Sequence, residues 1–275
     1  MSEIAQLQRM NIGSGFRAYS LRGGEMAAPI DPFLGVDHAW MSASTFQPHP
    51  HAGFSAVSYL FLDSETGIDN RDSLGNRNRI QPGGLHWTAA GRGIVHDEVP
   101  AVSGKTVHML QISVNLAVDR QGADAFALSL EPRDVPIAQL PGAKVRVPLG
   151  ALGEARSPLH PPTEVCLLDI SLDEGANLSV PVPTGHSAFI MPIFGALEID
   201  GQSFDASEPR LPVFPALETP REILLQAKQG NAKVVVFSGT PLRQPVFWQG
   251  SLALASAEAL AERMAAYQRG EFGSI

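Results

Sequence analysis

Residues 88–98 read Thr88-Ala-Ala-Gly-Arg-Gly-Ile-Val-His-Asp-Glu98, and this segment carries the strongest structural signal in the chain. Gly91-Arg-Gly93 predicts a flexible turn, and Ile94-Val95 supplies β-branched residues that favour an extended strand. In a strand, residues two positions apart project from the same face. His96 and Glu98 are therefore predicted to point to one side of a strand.

The same spacing occurs earlier, in His49-Pro-His51. On two adjacent antiparallel strands the two pairs would offer three imidazole nitrogens and one carboxylate to a single ion, whereas on a helix this spacing would point the side chains apart. Neutral imidazole and carboxylate suit Fe(II), Mn, Co, Ni, Cu and Zn. The predicted metal ligands are therefore His49, His51, His96 and Glu98, which leave two positions of an octahedral site for water, dioxygen or a chelating substrate.

The other histidines have no metal-ligand residue two positions away, and we predict structural roles for His38, His86, His108, His160 and His186. Two of them have an alternative role near the site. His86, beside Trp87, could line the mouth of a pocket, and His108 could hydrogen-bond to the ligands. The single cysteine, Cys166, lies in an apolar run and is predicted to be a buried, unreactive thiol.

Short apolar runs bounded by Gly, Pro, Asp or Asn continue along the chain and predict an all-β fold. The clearest runs cover residues 57–62, 107–116, 165–172, 188–199, 222–227 and 233–238. Long helical periods are absent between them, which argues against a parallel βαβ fold. One helix is predicted near the C-terminus, where Ser256 can cap it and where Leu260, Met264 and Tyr267 form an apolar stripe.

Two strand-rich halves flank a loose, proline-containing stretch. Each half shows the same succession of an apolar strand, a turn, a Pro-containing loop and a second long apolar strand, which predicts two similar barrels. The predicted division is an N-terminal metal-binding barrel over residues 1–130, a Pro-rich linker over 131–162, a C-terminal barrel over 163–245 and a helical tail over 246–275.

The composition argues against several classes of protein. Apolar residues make up 44% of the 275 residues, which is enough for a sizeable core. The net charge is −8 and the 20 basic residues are dispersed, which disfavours direct binding of nucleic acid. One cysteine forms no intramolecular disulfide, and the sequence shows neither a signal peptide nor an apolar run of membrane-spanning length. We expect a soluble cytoplasmic protein.

His49-Pro-His51-Ala-Gly53-Phe54 resembles the His-Pro-His-Arg-Gly-Phe segment of the pirin family, and residues 88–98 closely resemble the most distinctive stretch of that family. Further similarity at residues 72–76, 110–116 and 248–273 extends the resemblance over nearly the whole chain. It implies a bicupin, that is, two stacked cupin barrels, with metal only in the N-terminal one. It also places the family's ligands at the four residues that the spacing predicts.

The chain departs from the family pattern beside these ligands. Ala52 stands where the family usually has Arg, Ser55-Ala56 replaces Glu-Thr, and Asp97 replaces Ser. These changes leave the ligands intact and alter the rim of the pocket. They are therefore expected to affect the choice of substrate more than the binding of metal.

The resemblance implies an enzyme as the first functional hypothesis. Some pirins resemble flavonol dioxygenases, which cleave quercetin with dioxygen and release carbon monoxide. A pirin-like metal-dependent dioxygenase would act on a small aromatic substrate and dioxygen. Glu98 would accept the proton of a metal-bound 3-hydroxyl group after loosening from the metal. The expected cofactor is one divalent transition metal, with Fe(II) favoured and Mn, Co, Ni, Cu and Zn as alternatives.

Two further hypotheses are non-enzymatic. The first is a metal- or redox-dependent binding protein that acts on a transcriptional or metabolic protein partner. The second is a metal-free bicupin whose barrel binds a small molecule.

Overall fold

The computed structural model describes residues 2–275 and shows a molecule built mainly of β-strands. Two barrels pack against each other, and a short helix lies near the C-terminus. The predicted all-β fold with two stacked barrels and a C-terminal helix is confirmed. No helix in this part of the chain is long and apolar enough to cross a membrane.

The strands are numbered in chain order. Those of the first half are β1 (Glu3–Gln6), β2 (Gln8–Ile12), β3 (Phe16–Arg22), β4 (Phe33–Met41), β5 (His49–His51), β6 (Phe54–Leu60), β7 (Ile68–Asp72), β8 (Arg77–Ile80), β9 (Leu85–Ala89), β10 (Ile94–Pro100), β11 (Val107–Asn115) and β12 (Phe126–Leu130).

The second half contributes β13 (Ile137–Leu140), β14 (Ala143–Leu149), β15 (Ala151–Leu152), β16 (Ala155–Arg156), β17 (Val165–Leu172), β18 (Asn177–Val182), β19 (Ser187–Ile199), β20 (Gln202–Asp205), β21 (Arg210–Phe214), β22 (Arg221–Gly239), β23 (Phe247–Gln249) and β24 (Leu252–Leu254). The α-helices are α1 (Ala27–Ile30) and α2 (Ala257–Gln268). Single 3₁₀ turns cover Gly24–Met26, Val118–Arg120 and Pro132–Asp134.

Two sheets form the N-terminal barrel. The larger has the strand order β12-β9-β6-β11-β4-β3-β2, and the smaller has the order β5-β10-β7-β8. A core between the sheets contains Leu60, Ile68, Ile80 and Met109. Every residue of β6 is buried, because one face of this strand lines the barrel and the other packs against the second barrel.

The C-terminal barrel is built from one large sheet. Its strand order is β1-β21-β19-β22-β17-β14-β13, with β18 paired to β22 and β20 paired to β19. Alternate residues of these strands form an apolar interior that includes Val145, Ile170, Ile190 and Ile223. The first strand of the chain therefore belongs to the second barrel.

The two barrels share an apolar interface. Phe33 of the first barrel meets Phe189 and Phe237 of the second at ring-centroid distances of 5.2 and 5.7 Å. The Tyr59 hydroxyl donates a 2.7 Å hydrogen bond to Asp169 across this interface. Burial, together with the negative charge of Asp169, raises the pKa of Tyr59, so the phenol stays protonated and keeps donating this bond.

The stretch 131–162, predicted as a Pro-rich linker, contains two strands of the C-terminal sheet. β13 pairs with β14, and β14 pairs with β17. Prolines fit here because Pro136 and Pro141 lie outside the strands, and because Pro148 lies where the register between β14 and β17 shifts. The boundaries at residues 130, 162 and 245 stay predictions of where folding units end.

The C-terminal helix begins at the predicted cap, where Ser256 Oγ accepts a 3.1 Å hydrogen bond from the Ala259 amide. Leu260 and Met264 pack into an apolar cluster with residues of the N-terminal barrel, as the stripe predicts. The prediction is wrong for Tyr267, which is 40% exposed. The helix therefore buries a narrower face than the spacing suggests.

A pair of histidines lies on β4 and β11, next to the interface. His38 Nε2 and His108 Nε2 are 2.7 Å apart, and His108 Nδ1 donates a 2.8 Å hydrogen bond to Asp63. Both ring nitrogens of His108 are engaged here, so the expectation that it hydrogen-bonds to the ligands is wrong. Burial lowers the pKa of His38 to about 3, and the charges of His108 and Arg17 add to this effect.

His38 makes the stability of the fold sensitive to acid. Its folded-state pKa of about 3 lies below its ordinary value of 6.5, so the unfolded chain binds a proton that the folded chain lacks over that range. As the pH falls through this range, each such proton lowers the free energy of unfolding by about 1.4 kcal/mol per pH unit. We expect His38→Gln, which keeps a donor toward His108, to give a shallower loss of stability than the wild type when metal-free protein is unfolded in urea between about pH 6.5 and about pH 4.5. Equal slopes would contradict this prediction.

Candidate metal centre

The site begins with the pairing of two short ligand-bearing strands. β5 runs antiparallel to β10 with His49 opposite His96 and His51 opposite Ile94. Directly opposed residues of antiparallel strands share a face, so His49 and His96 point the same way, and His51, two positions along β5, joins them. The structure thus brings together three of the four predicted ligands.

The imidazole nitrogens converge closely. His51 Nε2 lies 2.9 Å from His96 Nε2, and His96 Nε2 lies 3.2 Å from His49 Nε2. The potential ligand atoms of all three residues lie within 4.8 Å of one another. His51 and His96 are buried and His49 is partly exposed, so the cluster faces solvent on the His49 side.

Two of these rings are oriented by backbone carbonyl groups. His49 Nδ1 donates to the Gln47 carbonyl at 2.9 Å, and His51 Nδ1 donates to the Ser251 carbonyl at 3.1 Å. A proton on Nδ1 leaves a lone pair on Nε2 of a neutral imidazole. Both rings therefore present acceptor atoms to the centre of the cluster.

This arrangement fits a cation better than it fits a hydrogen-bonded network. His96 has one proton to donate while two Nε2 lone pairs face it, so a network of hydrogen bonds leaves one of them unmatched. A divalent transition metal accepts lone pairs from all three imidazoles. The buried Nδ1 of His96 has no hydrogen-bond partner among residues 2–275, so this ring is oriented by packing.

Burial keeps the two inner rings neutral. It lowers the pKa of His51 to about 3, and the charge of His49 contributes in the same direction. It also lowers the pKa of His96 well below the ordinary value, with further contributions from His51 and His49. Both imidazoles are therefore unprotonated at neutral pH, which is the state that binds metal.

Glu98 lies two positions after His96 on β10 but stands apart from the imidazole cluster. Its carboxylate accepts from Ser58 Oγ, at 2.8 Å for one oxygen and 3.0 Å for the other, and Ser58 Oγ lies 2.9 Å from Gln111 Oε1. Desolvation raises the pKa of Glu98 to about 7, against the lowering effect of the Ser58 hydrogen bond. Its role as the fourth ligand stays a prediction.

Asp97, one of the departures from the family pattern, has a clear structural role. It points to the opposite side of β10 from the ligands, where Arg71 of β7 donates two hydrogen bonds of 2.9 and 2.7 Å to one of its oxygens. Asp97 is buried, so this pair is shielded from water on the carboxylate side. The pair fastens β10, and with it His96, to β7.

The surroundings of the cluster are polar inside and aromatic at the rim. His86 is buried, with hydrogen-bonding contacts to Ser129 Oγ at 2.9 Å and Asn70 Nδ2 at 3.3 Å, so it does not line the mouth as one alternative supposed. At the rim, the ring of Phe46 lies 6.3 Å from the ring of His49. Phe46 also lines a cavity of about 710 Å³ bounded by β7, β8 and β10.

Three residues that contact the predicted ligands or their strands escaped the sequence analysis. Ser58 lies within an apolar strand run and gives no signal of its own. Ser251 is 200 residues from His51. Arg71 could have been found only if β7 had been paired with β10, because the pairing places it opposite Asp97.

Comparison with known proteins identifies the family. Residues 15–114 match the pirin family, and residues 167–273 match the pirin C-terminal cupin domain. The chain belongs to the pirin family. The first range contains all four predicted ligands, and the two ranges together contain most strands of both barrels.

Among pirin relatives, a Pseudomonas aeruginosa protein provisionally named quercetin 2,3-dioxygenase is 30% identical over 94% of this chain and 92% of its own. A crystal structure of quercetin 2,3-dioxygenase from Acinetobacter baumannii superposes with a TM-score of 0.89, at 24% identity, over 100% of this chain and 99% of its own. A bacterial pirin from Escherichia coli in complex with nickel(II) gives a TM-score of 0.68 at 17% identity, over 88% and 100%. These two structural likenesses show a shared fold.

Removing one of the inner imidazoles should abolish tight metal binding. We expect His96→Ala to weaken binding of Fe(II) or Ni(II) by at least about 100-fold. Loss of a residue that only hydrogen-bonds to a metal ligand costs up to about 100-fold, and loss of a ligand itself should cost at least as much. Metal content after anaerobic loading and desalting measures the effect. His38→Gln is the control, because His38 contacts no predicted ligand, and it should retain metal. Wild-type metal content in His96→Ala would refute the ligand assignment.

Proposed function

We propose that the protein is a metal-dependent dioxygenase that cleaves a flavonol, such as quercetin, with dioxygen. The observation that carries the proposal is the convergence of three neutral imidazoles, from His49, His51 and His96, at a solvent-facing rim. Glu98 follows on the same strand with a carboxyl group of raised pKa. Relatives that carry the quercetin 2,3-dioxygenase name support this reaction class.

In this proposal His49, His51, His96 and Glu98 hold one divalent transition metal. Fe(II) is the favoured ion, and Mn, Co, Ni, Cu and Zn are alternatives because nitrogen and oxygen donors accept all of them. The nickel(II) complex of the bacterial pirin supports the inclusion of Ni among these ions. When bound, the metal supplies Lewis acidity, which lowers the pKa of a hydroxyl group that it binds.

Glu98 is the proposed general base. After loosening from the metal, it takes the proton of the substrate 3-hydroxyl group at a carboxylate oxygen. Burial, which raises the pKa of this carboxyl to about 7 in the metal-free protein, favours that transfer. Ser58 holds the carboxylate through a 2.8 Å hydrogen bond. Dioxygen supplies both oxygen atoms that enter the product, and one ring carbon leaves as carbon monoxide, so the reaction needs no external reductant.

The rim suits an aromatic substrate. Phe46 is 37% exposed, and its ring is braced edge-to-face by Phe16 at 5.1 Å. An exposed, braced ring beside His49 offers a flat surface on which the rings of a flavonol can stack. Because Ala52 is small and buried, it presents no charged group to such a substrate.

The direct test is consumption of quercetin by protein that has been stripped and reloaded anaerobically with Fe(II), then exposed to dioxygen. We expect quercetin loss with release of carbon monoxide, and loss of both signals in His96→Ala. Parallel loading with Mn, Co, Ni, Cu and Zn identifies the metals that support turnover. If metal binds stoichiometrically and neither quercetin nor a related flavonol is consumed, the enzyme hypothesis fails, and the redox-dependent binding protein becomes the better explanation.

Glu98→Gln separates proton transfer from metal binding. The amide keeps an oxygen donor but cannot accept a proton, so we expect retained metal and a fall in kcat of about 100-fold or more. Unchanged turnover in Glu98→Gln would remove Glu98 from the base role while leaving the metal site intact.

A further inference from the structure

The C-terminal tail, residues 246–275, contacts both ligand-bearing strands of the barrel at the other end of the chain. We propose that Ser251 is a positioning residue for the metal centre: its carbonyl group fixes the tautomer and direction of the His51 ring, so that metal affinity depends on docking of the tail. This inference rests on the metal centre proposed above.

The contact between Ser251 and β5 is two-sided. The Ser251 carbonyl accepts from His51 Nδ1 at 3.1 Å, and the Ser251 hydroxyl donates to the carbonyl of Pro50, the residue between the two histidines of β5. The hydroxyl thus fastens residue 251 to the strand whose imidazole its carbonyl orients. One residue of the tail therefore sets both the place and the direction of the hydrogen bond to His51.

The neighbouring backbone keeps this contact in register. The Ala253 amide donates to the Ala52 carbonyl at 3.0 Å, and Leu252 forms a β-bridge with Ala52. Gly53 lies at φ +81°, and a Cβ there would overlap the carbonyl oxygen of Ala253. The tail and β5 approach so closely that only glycine fits at this position.

The end of the tail reaches the second ligand strand. Phe272 is buried against Gly93, directly before β10, and a Cβ on Gly93 would overlap its ring. Gly273 packs on Ser73, whose hydroxyl accepts from the Val95 amide at 3.0 Å and whose own amide donates to the Val95 carbonyl at 2.8 Å. The strand that carries His96 is therefore held by the same tail.

The carbonyl of Ser251 decides which nitrogen of His51 is free. A neutral imidazole carries its proton on either nitrogen, and only the form protonated on Nδ1 presents the Nε2 lone pair to the cluster. Without the carbonyl, the ring can protonate Nε2 and donate it to His96 Nε2, which lies 2.9 Å away. That alternative hydrogen bond competes directly with a metal ion for the same atoms.

The test compares three variants of the full-length protein. Ser251→Ala deletes the hydroxyl that fastens residue 251 to β5, and Ser251→Thr keeps a hydroxyl. Ser157→Ala is the matched control, because Ser157 Oγ also donates to a proline carbonyl, that of Pro148 at 2.7 Å, and lies remote from the cluster. The readouts are the Kd for Ni(II) and Zn(II) by competition with a chelator, the urea midpoint of metal-free protein, and the His51 tautomer from ring ¹⁵N shifts.

We expect Ser251→Ala to weaken metal binding by about 10-fold and to reduce the Nδ1-protonated form of His51, as loss of a partner behind a metal ligand does. Ser251→Thr should restore both readouts, and Ser157→Ala should shift only the urea midpoint. Unchanged Kd and tautomer in Ser251→Ala would overturn the inference. If the wild type binds neither metal, the proposed metal centre fails, and the tautomer of metal-free protein still decides the role of Ser251.

Discussion

The pairing of β5 with β10 is the constraint on which the site depends. A shift of one residue in this register would turn the imidazoles of His49 and His51 to the opposite face, because side chains alternate along a strand. β5 covers only His49–His51, so three residues cannot specify their register alone. Contacts with other parts of the chain fix this register. The tail bonds to the residue that follows β5, and the Arg71–Asp97 pair fixes β10 to β7.

Burying polar side chains inside a barrel costs free energy of folding, which burial of apolar residues elsewhere offsets. His51 and His96 are neutral and buried, and the lone pairs of their ring nitrogens converge without enough protons to pair them. The barrel tolerates this because the central strands of its larger sheet, β9, β6 and β11, are buried on both faces, one against the barrel interior and the other against the second barrel. The second barrel, whose interior is apolar, thus stabilises a site to which it contributes no proposed ligand.

Local patterns explain why the sequence predicted part of this structure. Alternation along strands placed His49, His51 and His96 on one face, and cap chemistry located α2 at Ser256. The prolines of the stretch 131–162 lie in loops and at the register shift of β14, so they leave room for the two strands that this stretch contributes to the C-terminal sheet. Ser251 could not be predicted, since no local pattern links it to a histidine 200 residues earlier.

Each end of the chain packs against the barrel formed by the other half of the chain. β1, near the N-terminus, completes the sheet of the C-terminal barrel, while the C-terminal tail completes the surroundings of the N-terminal site. Neither barrel therefore has all its contacts until the whole chain has folded. An open metal site formed early would contain a His51 ring free to choose either tautomer, with no carbonyl to select between them. Under the proposal for Ser251, tight binding of metal requires that residues 246–275 have docked, because the carbonyl group that orients His51 belongs to that tail.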